Sequence, residues 1–130
     1  MIKWKPAYDT GVPKIDRQHR VLLANFNRLE ELLASQEVER AEADCLLQFL
    51  EQYATLHFRG EETCMTNYRC PACDRSQVEH TQFLKMVKAA RAEFATTTAP
   101  TVVLERLHES MVCWFNDHIL RLDSQLKERA

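Results

Sequence analysis

Four histidines and two carboxylates carry the chemistry legible in this chain: His19, His57, Glu61, His80, His118 and Asp123. They occur as QH at 18–19, HFRGE at 57–61, EHTQF at 79–83 and HILRLD at 118–123. Imidazole and carboxylate make a nitrogen–oxygen ligand set suited to iron, manganese or zinc. Carboxylates also bridge cations, so the set fits a two-metal site. His57 and Glu61 are four apart, hence neighbours on one helical face. His118 and Asp123 are five apart, about 140° around an ideal helix. That pair requires a distortion, a helix end or a wide site. Two histidines per metal plus two bridging carboxylates leave positions open for solvent, an oxo or hydroxo bridge, or dioxygen. One histidine on an apolar stripe is ordinary core. Four, each on the stripe of a different helix, are not explained by packing. His108 lies off its stripe and reads as a surface residue.

The elements that position these groups follow from periodicity. Residues 1–15 read as an extended arm, because Pro6, the Asp9-Thr10-Gly11 turn signal and Pro13 oppose helix. Asp16 is placed to cap a first helix over about 17–36, with His19, Leu22, Leu23, Phe26, Leu29 and Leu33 inward. A second covers about 40–67, with Leu46, Leu50, Tyr53, Ala54, His57, Glu61 and Met65 on one side. Pro71 breaks it. A third covers about 73–95, with His80, Phe83, Leu84, Val87 and Phe94 inward, and a fourth about 101–127, with Leu104, Leu107, Met111, Trp114, His118 and Leu122 inward. Four amphipathic helices on short loops predict an all-α, up-down-up-down four-helix bundle, a single domain over 1–130. The histidines fall at a helix start, an end, a start and an end. With alternating helix direction, all four reach the same end of the bundle.

Composition narrows the functional classes. At 130 residues the chain can bury a real core. Two glycines and four prolines favour long helices. A net charge of −2 gives no electrostatic case for nucleic acid or an anionic membrane. No apolar run approaches a membrane span, and the N-terminal residues lack the apolar core of a signal peptide, so a cytoplasmic protein is expected. There, five cysteines are expected as thiols or metal ligands. The sequence is silent on protein partners and oligomeric state.

The motifs together resemble the hemerythrins, most closely the bacterial single-domain kind. The matching pieces are Trp4, GVPKIDRQH at 11–19, HFRGEETCM at 57–65, EHTQF at 79–83 and WFNDHILRLD at 114–123. The resemblance implies a non-haem di-iron centre, oxo- or hydroxo-bridged, that binds dioxygen. It implies that His19 and His57 serve one iron, His80 and His118 the other, with Glu61 and Asp123 bridging. The family carries a fifth histidine four residues before the equivalent of His80; here that position is Ser76. Without it both irons are expected to be open. The resemblance also implies a Tyr-Pro that here is Cys70-Pro71.

Cys73 precedes His80 by seven residues, near enough in helical phase to stand as an alternative ligand for the missing histidine. Cys70 and Cys73 form a CPAC motif at a helix start, a setting that lowers thiol pKa. A redox pair is one reading, with Cys64 close by; unrelated small residues around a turn are the other. Cys45 and Cys113 read as ordinary helix residues. Gly60 serves either close packing near the metals or nothing. The expected function is dioxygen binding for storage, delivery or sensing, rather than catalysis. The alternative is a redox site with both irons open that reduces dioxygen, peroxide or nitric oxide, coupled to Cys70 and Cys73. A redox-silent zinc site is a third reading.

Overall fold

The computed structural model describes residues 1–35 and 37–129. Four helices form: α1 Pro13–Ala34, α2 Arg40–Asn67, α3 Cys73–Thr96 and α4 Pro100–Arg121. Each packs on its sequence neighbours, and α1 closes the ring on α4, giving the all-α up-down-up-down bundle. Phe26, Leu29, Leu47, Leu50, Phe83, Val87, Leu104 and Met111 fill its centre. No helix among the described residues is long and apolar enough to cross a membrane.

The ends of the helices differ from expectation in ways that matter for the site. α1 begins at Pro13, not near 17. Proline suits the first helical position, where its missing N–H costs nothing. Asp16 is therefore inside the first turn and caps nothing. Its Oδ1 instead accepts from the Thr10 N–H at 2.9 Å and the Thr10 hydroxyl at 2.8 Å. Residue 36, the expected end of this helix, lies outside the described residues. The arm is not wholly extended: Pro6–Tyr8 is a 3-10 turn. It buries Tyr8, whose hydroxyl donates to Asn116 Oδ1 at 2.8 Å. In α2 the fully buried stripe is Ala43, Leu47, Leu50, Ala54, His57, Glu61 and Met65. Leu46 and Tyr53 are only half-buried, and so are Leu33, Leu84 and Trp114 on the other helices.

α4 does not run to 127. It stops at Arg121, and a 3-10 helix, Asp123–Glu128, follows. Leu122, at φ −110° and ψ −55°, makes the break. This helix end resolves the five-residue spacing of His118 and Asp123. The change of winding swings Asp123 back to the side that His118 occupies.

Candidate metal centre

The six residues converge at one end of the bundle, each at most 2 % exposed. The geometry divides them into two halves. His19 Nε2 and His57 Nε2 lie 3.0 and 3.1 Å from Glu61 Oε2. His80 Nε2 lies 3.0 Å from Glu61 Oε1, and His118 Nε2 3.8 Å from the same oxygen. Asp123 repeats the division, with Oδ2 3.3 Å from His19 Nε2 and Oδ1 3.1 Å from His118 Nε2. Each carboxylate thus turns one oxygen to each histidine pair. Ligand atoms of Glu61, His80, His118 and Asp123, and of His19, His57 and Glu61, each lie within 4.8 Å of one another.

The outer nitrogens decide what the inner ones can do. His57 Nδ1 donates to Gln18 Oε1 at 2.7 Å, His80 Nδ1 to Glu62 Oε2 at 2.8 Å, and His118 Nδ1 to Glu79 Oε1 at 2.9 Å. A neutral ring with its proton on Nδ1 has a lone pair on Nε2. Those lone pairs face one another and two carboxylates. Asp123 Oδ1 has no hydrogen-bond partner among the described residues, although His118 Nε2 is near. Such a concentration of buried acceptors needs protons or cations between them. The donor set therefore fits divalent metal, with outer partners that orient the rings as outer carboxylates do around metal-bound histidine.

Electrostatics agree. Burial pushes the His19 imidazole down, but Asp123 and Glu61 outweigh it and raise its pKa to about 9. Burial likewise opposes charge on His118, and Asp123 and Glu61 lift it to about 10. His57 goes the other way, lowered first by burial. Burial would raise the Glu61 carboxyl, yet the imidazoles around it, His57 foremost, hold it well below the usual range. Aromatic plates fix the rings in place. Phe58 stacks on His80 with centroids 3.9 Å apart, and Trp114 on His118 at 4.3 Å. Phe115 meets His19 edge-on. A cavity of about 10 Å³ remains among His19, His57, Phe58, Trp114, Phe115 and His118. That is about the least that admits one water-sized molecule, so an organic substrate has no room here.

Ser76 joins this site and Cys73 does not. Ser76 is fully buried, its Oγ 3.2 Å from His80 Nε2 and 3.4 Å from His118 Nε2. Cys73 Sγ turns instead to Thr66 Oγ1 at 3.5 Å and the Glu62 carbonyl at 3.9 Å. As the first residue of α3 it is aimed off the inward stripe. Cys70 is buried in a separate small core with Met65, Ala72, Leu122 and Leu126. Gly60 has nothing within 4 Å of where a Cβ would stand, so close packing is not its purpose. His108 is half-buried rather than on the surface, with an Nε2 that has no hydrogen-bond partner among the described residues, away from the centre.

The supporting residues Gln18, Glu62, Glu79 and Arg121 escaped the sequence reading. Arg121 donates to both Glu79 oxygens, at 2.8 and 2.7 Å, and Arg75 donates to one of them at 3.0 Å. Gln18, Glu62 and Glu79 each adjoin a singled-out residue in sequence. Adjacent helical positions point about 100° apart, however, so only the packing of one helix on another reveals these pairings.

Fold and site together define a four-helix bundle with a buried cluster of nitrogen and oxygen donors at one end, a set whose chemistry suits cations. A profile of the Hemerythrin HHE cation binding domain matches residues 10–130. The chain belongs to the hemerythrin family. It is 28 % identical to the bacteriohemerythrin of Clostridium acetobutylicum, over 96 % of this chain and 98 % of that one. It is 26 % identical to the bacteriohemerythrin of Stenotrophomonas maltophilia, over 92 % of this chain and 74 % of that one. The Pseudomonas aeruginosa bacteriohemerythrin is 27 % identical, over 93 % of this chain and 76 % of its own length.

Proposed function

We propose that this chain holds two non-haem iron ions, oxo- or hydroxo-bridged, and binds dioxygen or a related small ligand at them. His19 and His57 hold one ion, His80 and His118 the other, and Glu61 and Asp123 bridge. The observation that carries this is the split of both carboxylates, each turning one oxygen toward each histidine pair. Bound iron would supply the redox chemistry that dioxygen binding requires. The protein supplies the rest. Gln18, Glu62 and Glu79 keep three rings in the tautomer that presents Nε2. Phe58, Trp114 and Phe115 exclude bulk water.

A second reading rests on Ser76. Its hydroxyl occupies the place where the family resemblance implies another imidazole, and a neutral hydroxyl is a weak ligand. Both ions then keep open positions, which favours turnover of dioxygen, peroxide or nitric oxide over reversible carriage. Elemental analysis of fresh protein tests both readings, with about two irons per chain expected from two histidines per ion. One iron, or zinc in its place, would overturn dioxygen binding. With iron confirmed, exposure of the reduced protein to dioxygen separates the readings. A spectrum that returns on deoxygenation supports carriage, and one that decays to the oxidised form supports turnover.

A further inference from the structure

The turn between α2 and α3 gathers three of the five cysteines: Cys64, Cys70 and Cys73. Beyond the α2 cap, Arg69 is left-handed at φ 52°. Its N–H donates to the Thr66 carbonyl at 3.1 Å, and the Cys70 N–H donates to the Met65 carbonyl at 2.8 Å. This pair of bonds is a Schellman closure, which folds the second residue past the cap onto the turn before it. Here it folds Cys70 onto the turn that begins with Cys64 and Met65. Cys70 is 5 % exposed in its small core, and Cys64 packs against that core. Cys73 packs against the same core and its N–H donates to the Cys70 carbonyl at 3.2 Å, but its sulfur is engaged elsewhere. Its Sγ is held over Glu62 and Thr66, about 200° around α2 from Cys64. The CPAC spacing thus hides a better-placed partner for Cys70.

Cys64 faces two other features. It follows Glu61 by three residues and so shares the face of the carboxylate that touches both histidine pairs. Burial raises its thiol pKa, and negative charge on Glu61 and Cys70 adds to the rise. On its outer side Cys64 lines a cleft of about 430 Å³ with Lys14, Gln18, Gly60 and Tyr68. Gln18 is the residue that holds His57. The cleft therefore touches a thiol and an outer support of the metal centre at once.

We propose that Cys64 and Cys70 form a dithiol–disulfide couple that delivers two electrons to the metal centre and is reset through this cleft by a small anionic thiol. The inference rests on the di-iron reading above. On oxidation the two thiols release two protons to solvent, a sulfur–sulfur bond forms, and two electrons pass one each to two ferric ions. On reset an external thiolate attacks Cys64, the sulfur open to the cleft, and Cys70 leaves and takes a proton. A second external thiolate then frees Cys64, which takes up a proton, and departs as an external disulfide. Lys14 supplies the positive charge that seats the anion.

The test starts with fully reduced protein of measured iron content and a zinc-loaded sample beside it, both exposed to limiting dioxygen. The iron protein loses two of its five thiols, and peptide mass spectrometry finds Cys64 joined to Cys70. The zinc protein loses them slower, on the order of tenfold, because thiolate oxidation there has no internal acceptor. Cys64→Ser stops the loss and Cys113→Ser does not. With glutathione as the reductant, Lys14→Glu slows the return of the two thiols several-fold. A Cys70–Cys73 disulfide, no thiol loss, or equal rates with iron and zinc would overturn the couple. An unchanged glutathione rate would remove the cleft from it. A chain that binds no iron overturns the di-iron reading and with it the electron delivery. Diamide treatment of the metal-free protein then decides the pairing alone, and any pair other than Cys64–Cys70 rejects it.

Discussion

His80 Nε2 stands 3.2 Å from His118 Nε2, and each ring already donates its Nδ1 proton to a carboxylate, Glu62 for one and Glu79 for the other. Two neutral rings in that state would point lone pairs at each other in a dry interior. A proton relieves the conflict, and so does a cation. The pKa of His118, lifted to about 10, is the proton solution.

The two solutions compete, which fixes a pH dependence. In metal-free protein His19 and His118 have folded pKa values of about 9 and about 10, above the ordinary 6.5. Their contribution to stability is fully present below about 6.5 and is lost as pH rises through 9 to 10. Glu61, held low, contributes above its ordinary 4.5 and loses that contribution as pH falls. Thermal melts of metal-free protein should therefore decline on both sides, as pH rises from about 6.5 to 9–10 and as it falls below about 4.5. Metal affinity should rise with pH up to about 9 to 10, with proton release on binding below that. A pH-independent affinity by calorimetry would mean that no proton is displaced.

Glu79 is a support worth removing. Glu79→Gln keeps the shape but weakens the hold on His118 Nδ1 and the clasp of Arg121. The expected loss of metal affinity is about 10–100-fold, with one ion lost before the other in a chelator competition. Equal release of both ions would show that Glu79 does not favour the His80 and His118 half.

Ser76→His restores the imidazole implied by the family. Ser76 Oγ already lies within 3.4 Å of His80 and His118, so the new ring enters the centre. Under iron, the oxygenated form should persist longer, followed as the decay of its visible absorption in air. An unchanged decay rate would show that this position does not set the open site.

Gly60→Ala should stabilise the protein. Nothing lies within 4 Å of the added methyl, and alanine is about 1 kcal/mol better than glycine inside a helix. Denaturant melts should show the gain with an unchanged slope. By contrast, Phe58→Ala removes the plate under His80 and should cost about 3–5 kcal/mol, read in the same melts.

The bundle was legible because its stripes are regular. Phe26, Leu50, Phe83 and Met111 recur at helical spacing and are buried as that spacing requires. The four histidines and Glu61 were legible because they continue those stripes, whereas Asp123, five residues past His118, falls off its stripe and stood out only by residue type. The outer partners were not. Gln18, Glu62 and Glu79 lie beside the stripe, and their partners are 39, 18 and 39 residues away, a separation that periodicity does not encode. The break at Leu122 was also hidden, since no glycine or proline marks it. Pro13 misled in the opposite direction, because the same ring that interrupts a helix can begin one.

The centre lies at one end of the bundle, beyond Phe26 and Phe83, while Leu29, Phe94 and Leu104 pack elsewhere without it. An ion bound there ties all four helices together at that end alone. Amide exchange should then divide the molecule along its length. Metal should slow the opening of amides near His19, His57, His80 and His118. Those near Ala34, Arg40, Thr96 and Pro100, at the far helix ends, should still fray at their own rate.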